Sequence, residues 1–206
     1  MFRDRLDAAQ QLAERLQHLR GENPLVLAIP RGGVPMGQTI VRSLDGELDV
    51  VLVHKLGAPG NPEFAIGAVA EDGSVQLPEN ARRRFGDDHI QQEIDQQRAT
   101  LRERRRRYTP IRPPIDPAGR VAVVVDDGSA TGSTMASALQ AVRSRGPRRL
   151  VAAIGAAPPR VVEQLKSVAD EVVCVIESAD FFAVGQFFEN FGQVTDDEVE
   201  AALGEQ

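Results

Sequence analysis

Residues 121–134 read Val121-Ala-Val-Val-Val-Asp126-Asp127-Gly128-Ser129-Ala130-Thr131-Gly132-Ser133-Thr134. The unbroken apolar run Val121–Val125, rich in β-branched side chains, has the character of a strand buried on both faces of a parallel sheet. Two carboxylates follow at once, then a loop of small and hydroxylated residues, and Met135–Val142 has the composition of a helix. A strand, a glycine-hydroxyl loop and a helix N-terminus together offer unpaired amides and the positive end of a helix dipole, which suits a phosphate. Gly128 and Gly132 let the backbone come close to an anion, and Ser129, Thr131, Ser133 and Thr134 add hydroxyl donors. The acids Asp126 and Asp127 would repel that anion, so they face something else: a sugar diol or a magnesium ion. A ligand with a phosphate at one end and vicinal hydroxyls beside it satisfies both halves.

This pattern, a hydrophobic strand, two acids, two variable residues and Thr-Gly-x-Thr, resembles the signature of the type I phosphoribosyltransferases. It is not a Walker loop, because no Gly-Lys-Ser/Thr follows. The resemblance spans Pro24 to about Phe191, through short motifs. It implies an α/β fold, a parallel-sheet core flanked by helices with a small hood, and transfer of ribose 5-phosphate from phosphoribosyl pyrophosphate (PRPP) to a nitrogenous base with release of pyrophosphate. It also implies Mg2+, a small nitrogenous acceptor, a homodimer and a place in nucleotide metabolism.

Length and composition bound the reading. A chain of 206 residues suits a single domain, with residues 80–117 a candidate helical insertion and 178–206 a C-terminal hood or flap. A hydrophobic content of 42% with no Trp and one Tyr predicts a mainly aliphatic core. The net charge of −6 argues against a surface devoted to nucleic acid. Cys174 is the sole cysteine and lies in an apolar run, which fits an inert thiol in a reducing cytoplasm. No apolar run reaches the ~18 residues a membrane span needs, and the N-terminal residues lack an apolar signal core.

Along the chain, Leu6, Ala9, Leu12, Leu16 and Leu19 predict an amphipathic helix over 4–20. Pro24–Ile29 predicts the first core strand, and Pro30-Arg31-Gly32-Gly33 leads into a helix over 34–44, a second strand–glycine loop–helix junction. In the resembled family the matching loop cradles pyrophosphate through backbone amides, often with a strained or cis peptide; here it is Arg31, Gly32 and Gly33. Leu48–Val53 predicts a second strand ending at His54-Lys55, followed by a mobile Gly/Pro-rich loop over 56–63. By resemblance such a loop closes over the site, and Lys55 is the cation it would bring to the pyrophosphate.

Residues 64–70 and 74–77 predict a hairpin about Glu71-Asp72-Gly73. Residues 87–108 predict a long polar helix with a thin apolar stripe, Ile90, Ile94 and Leu101, and a basic cluster, Arg102 and Arg104–Arg107. The prolines between 110 and 117 predict an extended connector to the central strand. Strands over 149–154 and 171–176 alternate with a helix opened by Pro158-Pro159. Thr195-Asp-Asp-Glu198 is a capping box for the last helix.

The aromatic tail Asp180-Phe-Phe182-Ala-Val-Gly-Gln-Phe-Phe-Glu189 is first of all a flap for the core. It also resembles a segment of 6-oxopurine phosphoribosyltransferases in which a Phe stacks on the base and an acid sits by the metal or the base edge, positions held here by Phe182 and Glu189. Two departures leave the acceptor open. Ala130 stands where the oxopurine enzymes carry an Asp thought to act as general base, and Gly155-Ala156-Ala157 has no lysine to read an exocyclic oxygen. Two other functions stay in view: a PRPP-sensing regulator that binds nucleic acid through the basic helix, and a PRPP-dependent enzyme with a non-base acceptor or water.

Overall fold

The computed structural model describes residues 1–205, with 62–65 described by their backbone alone. In chain order the elements are α1 (Arg5–Arg15), β1 (Leu25–Ala28), α2 (Gly33–Leu44), β2 (Glu47–Val50), β3 (Val53–Ala58), β4 (Asn61–Ala70), β5 (Val75–Gln76), α3 (Ala81–Phe85), α4 (Asp87–Tyr108), β6 (Val121–Gly128), α5 (Ser133–Ser144), β7 (Arg149–Ala157), α6 (Pro159–Leu165), β8 (Glu171–Glu177) and α7 (Asp196–Gly204).

Five strands form a parallel sheet in the order β2-β1-β6-β7-β8. The run Val121–Val125 is its middle strand, buried throughout because both of its faces are covered. Val121, Val123 and Val125 join one apolar layer, with α1, α2 and the Phe187–Phe188 tail; Ala122 and Val124 join the other, with α5 and α6. Such alternation is the period of two that a pleated strand imposes.

Strand order reverses between β1 and β6. From β1 the chain moves outward to β2, and from β6 it moves outward the other way to β7 and β8. The loops leaving β1 and β6 therefore splay over opposite faces from adjacent strand ends and leave a crevice between them, the place where open α/β sheets bind ligands.

The second sheet, β3-β4-β5, is antiparallel and corrects two expectations. The strand expected over 48–53 breaks: Val51 N still donates to the Ala28 carbonyl at 3.0 Å, but the Leu52 carbonyl accepts from Glu71 N at 3.0 Å as the chain leaves the main sheet. The stretch expected as an irregular loop over 56–63 is instead part of a hairpin, with Pro59-Gly60 turning between Ala58 and Asn61 and Gly60 at φ +71°. Tertiary contacts prop its first strand. Gly57 N donates to Glu93 Oε2 at 3.2 Å, and His89 Nε2 lies 3.0 Å from the Gly57 carbonyl. Both props come from α4. That helix matches its expected span, buries Ile90, Ile94 and Leu101 as expected, and adds Tyr108.

At the other end, α1 is shorter than expected and gives way to a single 3-10 turn over Gln17–Leu19. Leu6, expected in its apolar stripe, is 53% exposed. The segment before α1 pairs with the tail: Phe2 N donates to the Phe187 carbonyl at 2.7 Å and Glu189 N donates to the Phe2 carbonyl at 2.9 Å. The rings of Phe2, Phe188 and Phe191 stack in series with centroids about 5 Å apart. The capping box is formed, Thr195 Oγ1 accepting from Glu198 N and Thr195 N donating to Glu198 Oε2. Cys174 is buried, and burial pushes its thiol up to about 12, as suits a core residue. Among the described residues no helix is long and apolar enough to cross a membrane.

Candidate functional site

The loop expected to hold a phosphate begins where β6 ends. Pairing of Gly128 with Ala156 and donation from Ser129 N to the Ala156 carbonyl at 3.0 Å bind its first residues to β7. The chain then passes Ala130 and the exposed Thr131 to Gly132, which caps α5 in the left-handed region at φ +81°. Ala136 N donates to the Gly132 carbonyl, so the first intrahelical bond starts there and the amides of residues 133–135 have no acceptor within the helix. Thr131 Oγ1 donates to Ser133 Oγ at 3.2 Å, and Ser137 Oγ donates to the Ser133 carbonyl at 2.8 Å. Amides and hydroxyls of residues 129–134 thus gather round one helix N-terminus, as the sequence predicts.

The loop after β1 lies against the acid pair. The peptide between Pro30 and Arg31 is cis. A Cβ on Gly32 would sit 2.0 Å from Asp127 Oδ2, so a side chain there would have to displace that carboxylate. The carboxylate fills the space any side chain would need. One at Gly33 would meet the Val125 carbonyl oxygen at 2.5 Å. The two glycine loops are therefore brought together, with Asp126 and Asp127 between them.

Asp126 Oδ1 accepts from Asp127 N at 2.9 Å. Burial, reinforced by the neighbouring Asp127 charge, holds the Asp126 carboxyl well above the usual aspartate range. Burial also raises Asp127, against the opposing pull of Arg5. The pair binds a proton more readily than two separate aspartates and gains from any cation or hydroxyl donor placed between them.

Arg5 is the residue that sequence reading missed. Its Nε donates to Asp127 Oδ2 at 2.8 Å, its Nη1 to the Gly192 carbonyl at 2.7 Å, and its guanidinium lies 4.0 Å from the centre of the Phe191 ring. A cleft of about 340 Å³ opens beside it, lined by Arg5, Arg31, Gly32 and residues 191–194. A second cleft, about 320 Å³, adjoins the phosphate loop at Ser133 and is walled by Ser137, Gln140, Gln164 and the β4–β5 hairpin.

The other expected site residues are dispersed. Lys55 is not at the end of a core strand; it lies half-buried within β3, paired across to Ala68. Phe182 is 89% exposed at the start of the tail, its amide donating to Gln186 Oε1 at 2.7 Å. Glu189 is exposed and is held through its backbone to Phe2. The tail itself does reach the site: Val184 packs where a Cβ on Gly128 would be, at 2.5 Å. The absence of a lysine at residues 155–157 has a steric cause at its first position, since a Cβ on Gly155 would lie 2.4 Å from the Asp127 carbonyl oxygen.

Two buried carboxylates side by side suit magnesium, which takes one or two carboxylates and completes its shell with water and phosphate oxygens. Among the described residues no group of three or more His, Cys, Asp or Glu converges to cage a metal without such help.

The phosphoribosyl transferase domain model matches residues 4–187. The chain belongs to this family. A Mycobacterium tuberculosis protein provisionally named a phosphoribosyl transferase is 43% identical over 205 residues, 98% of this chain and 46% of that relative. The chain thus spans about half the length of the curated relatives it matches. The crystal structure of TT1426 from Thermus thermophilus superposes with a TM-score of 0.87 at 50% identity, covering 99% of this chain and 98% of that one. A purine phosphoribosyltransferase from Pyrococcus horikoshii Ot3 shares the fold, with a TM-score of 0.50, 18% identity and 93% coverage of both chains.

Proposed function

We propose that the protein transfers ribose 5-phosphate from PRPP to a nitrogenous base with release of pyrophosphate, in a Mg2+-dependent reaction. The observation that carries this reading is the convergence of two glycine loops on one acid pair at the strand-order reversal, with a helix N-terminus on the far side. That order of groups along the crevice supports a ligand with a phosphate at one end, a diol in the middle and a pyrophosphate at the other.

In this reading the amides of residues 130–134 and the hydroxyls of Ser129, Thr131, Ser133 and Thr134 hold the 5-phosphate and fix the sugar. Asp126 and Asp127 hold the ribose hydroxyls or the waters of magnesium, and the amides of residues 31–33, with Arg31, hold the pyrophosphate. Magnesium, when bound, would draw charge from the leaving pyrophosphate. The anomeric C–O bond breaks, its electron pair leaves with pyrophosphate, and a base nitrogen forms the new bond to carbon. Positive charge on the ribose ring develops next to the carboxylates, and negative charge on the leaving group next to Arg31, so both changes are stabilised by groups already in position. Lys55, on the β3–β4 hairpin, is the candidate second cation for the pyrophosphate, and Phe182 and Glu189 are the candidate base contacts. Ala130 supplies no general base, so the acceptor either needs none or is deprotonated by another group. The acting unit is taken to be a homodimer, as the resemblance implies; sedimentation of the protein tests that part.

The basic helix lends little to a nucleic-acid reading. Arg105 is engaged by Asp49 and Glu71, and Arg107 by Asp196, Asp197 and Glu200. Calorimetric titration of PRPP with and without magnesium, followed by a pyrophosphate-release screen over purine and pyrimidine bases, tests the proposal. Magnesium-dependent binding with release triggered by one base supports it. Binding without release for any base points to a sensor, release without a base points to hydrolysis, and no binding overturns the assignment.

A further inference from the structure

Arg5 is anchored from three sides, yet it is not saturated. Nε is taken by Asp127 and Nη1 by the Gly192 carbonyl, while among the described residues Nη2 has no acceptor. The side chain is 14% exposed, and what it exposes is toward the cleft it shares with Arg31. Arg31, for its part, has no ion pair among the described residues, so that cleft is lined by two guanidinium groups, one of them paired with Asp127. The remaining wall is Gly32, Phe191, Gly192, Gln193 and Val194, which offers neutral backbone, one amide side chain and one ring.

A buried guanidinium with spare donors, beside a second free one, is built for a multiply charged oxyanion. The cleft opens on the Arg31–Gly32 loop rather than on the phosphate loop, so it serves the end of the ligand that departs. We propose that Arg5 is a positioning residue of the pyrophosphate subsite: it gives its free Nη2 donors to the leaving pyrophosphate while its Nε keeps the Asp127 carboxylate oriented toward the ribose. One side chain then touches both ends of the bond that breaks. This rests on the PRPP reading above and adds a residue from α1, an element outside the two glycine loops. Phe191 and the Gly192 carbonyl hold the guanidinium flat against the cleft wall, so its geometry is set before the anion arrives.

The test separates the two ends of the ligand. Inorganic pyrophosphate and ribose 5-phosphate are titrated separately, in magnesium buffer, into wild type, Arg5→Lys and Arg5→Gln. Arg5→Gln is expected to weaken pyrophosphate by about tenfold or more, the size of a lost hydrogen bond to a charged group, and ribose 5-phosphate by less, about threefold, through the loosened Asp127 carboxylate. Arg5→Lys is expected to recover part of the loss, since it keeps the charge but not the fork. Equal losses for both ligands, or none for pyrophosphate, would overturn the proposal and leave Arg5 a strut for the tail. If Arg5→Gln does not fold, the arginine Nε–H signals of the wild type decide the matter. Arg5→Lys identifies the Arg5 signal by its disappearance, and that signal should move further on adding pyrophosphate than on adding ribose 5-phosphate; equal movement or the reverse order rejects the idea. Failure of wild type to bind PRPP at all would instead strike the parent reading.

Discussion

Asp49 and Asp127 are both buried carboxylates on strands of the same sheet, and each meets an arginine from a helix outside that sheet. Asp49 accepts from Val50 N at 2.7 Å, Ile115 N at 2.9 Å and Arg105 Nη1 at 3.3 Å, and Arg105 in turn grips Glu71 and the Val50 carbonyl. Both oxygens of that carboxylate are answered by the protein, and it binds β2, α4 and the proline connector into one piece. Among the described residues Asp127 is held by the side chain of Arg5 alone, has a second carboxylate beside it, and touches Arg5, which lines a cleft. A closed network serves stability; an under-compensated one beside open space serves a ligand.

Mutation should pull the two centres apart. The largest effect is expected at the open one: Asp127→Asn should lower kcat/KM by roughly a hundred- to a thousandfold through lost PRPP binding, and unchanged PRPP affinity in magnesium would place the ligand elsewhere. At the closed centre, Arg105→Ala should cost about 3 kcal/mol of stability by stranding Asp49, read as a lower urea midpoint. PRPP affinity in that variant should stay near wild type, and a large fall there would mean the two centres are coupled. Gly32→Ala comes next. Its Cβ must displace the Asp127 carboxylate, since the backbone at φ −60° accepts alanine; PRPP affinity should fall roughly tenfold or more, with the fold retained.

The smallest effect is a slope. Because burial and its neighbour raise Asp126, the folded chain holds protons there that the unfolded chain has released, so stability declines as pH rises above the ordinary aspartate value of 3.8. Asp126→Asn removes that penalty. Its unfolding midpoint should exceed that of wild type at neutral pH, and the two should converge in acid. A constant gap at every pH would show that the carboxyl is not perturbed.

Much of this was readable from the chain. The apolar run at 121–125 fixed the central strand, and the acids and hydroxyls after it marked the crevice, because a doubly covered strand and a helix N-terminus each leave a local signature. The same held for residues 30–33. What failed was non-local. Gly57 and Pro59 looked like loop residues, and only the reach of His89 and Glu93 from α4 turns that stretch into a hairpin. Arg5 was overlooked because Leu6 was placed on the buried stripe. The true stripe is Ala8, Ala9, Leu12, Ala13 and Leu16, and Arg5 lies three and four residues before its first members. A charge on the buried face of an amphipathic helix was the available signal. Asp49 gave no signal of that kind, since its partners come from residues 105 and 115.

The pairing of Phe2 with Phe187–Phe188, next to the Arg5 anchor at Gly192, has a consequence for how the molecule comes into being. A ribosome can have released the strands, both glycine loops and the acid pair while the cleft beside Arg31 still lacks its wall. That wall closes only when the segment after β8 returns to the one before α1. Loop closure over so long a separation is slow, so a nascent chain carries a finished phosphate loop well before it carries a finished site.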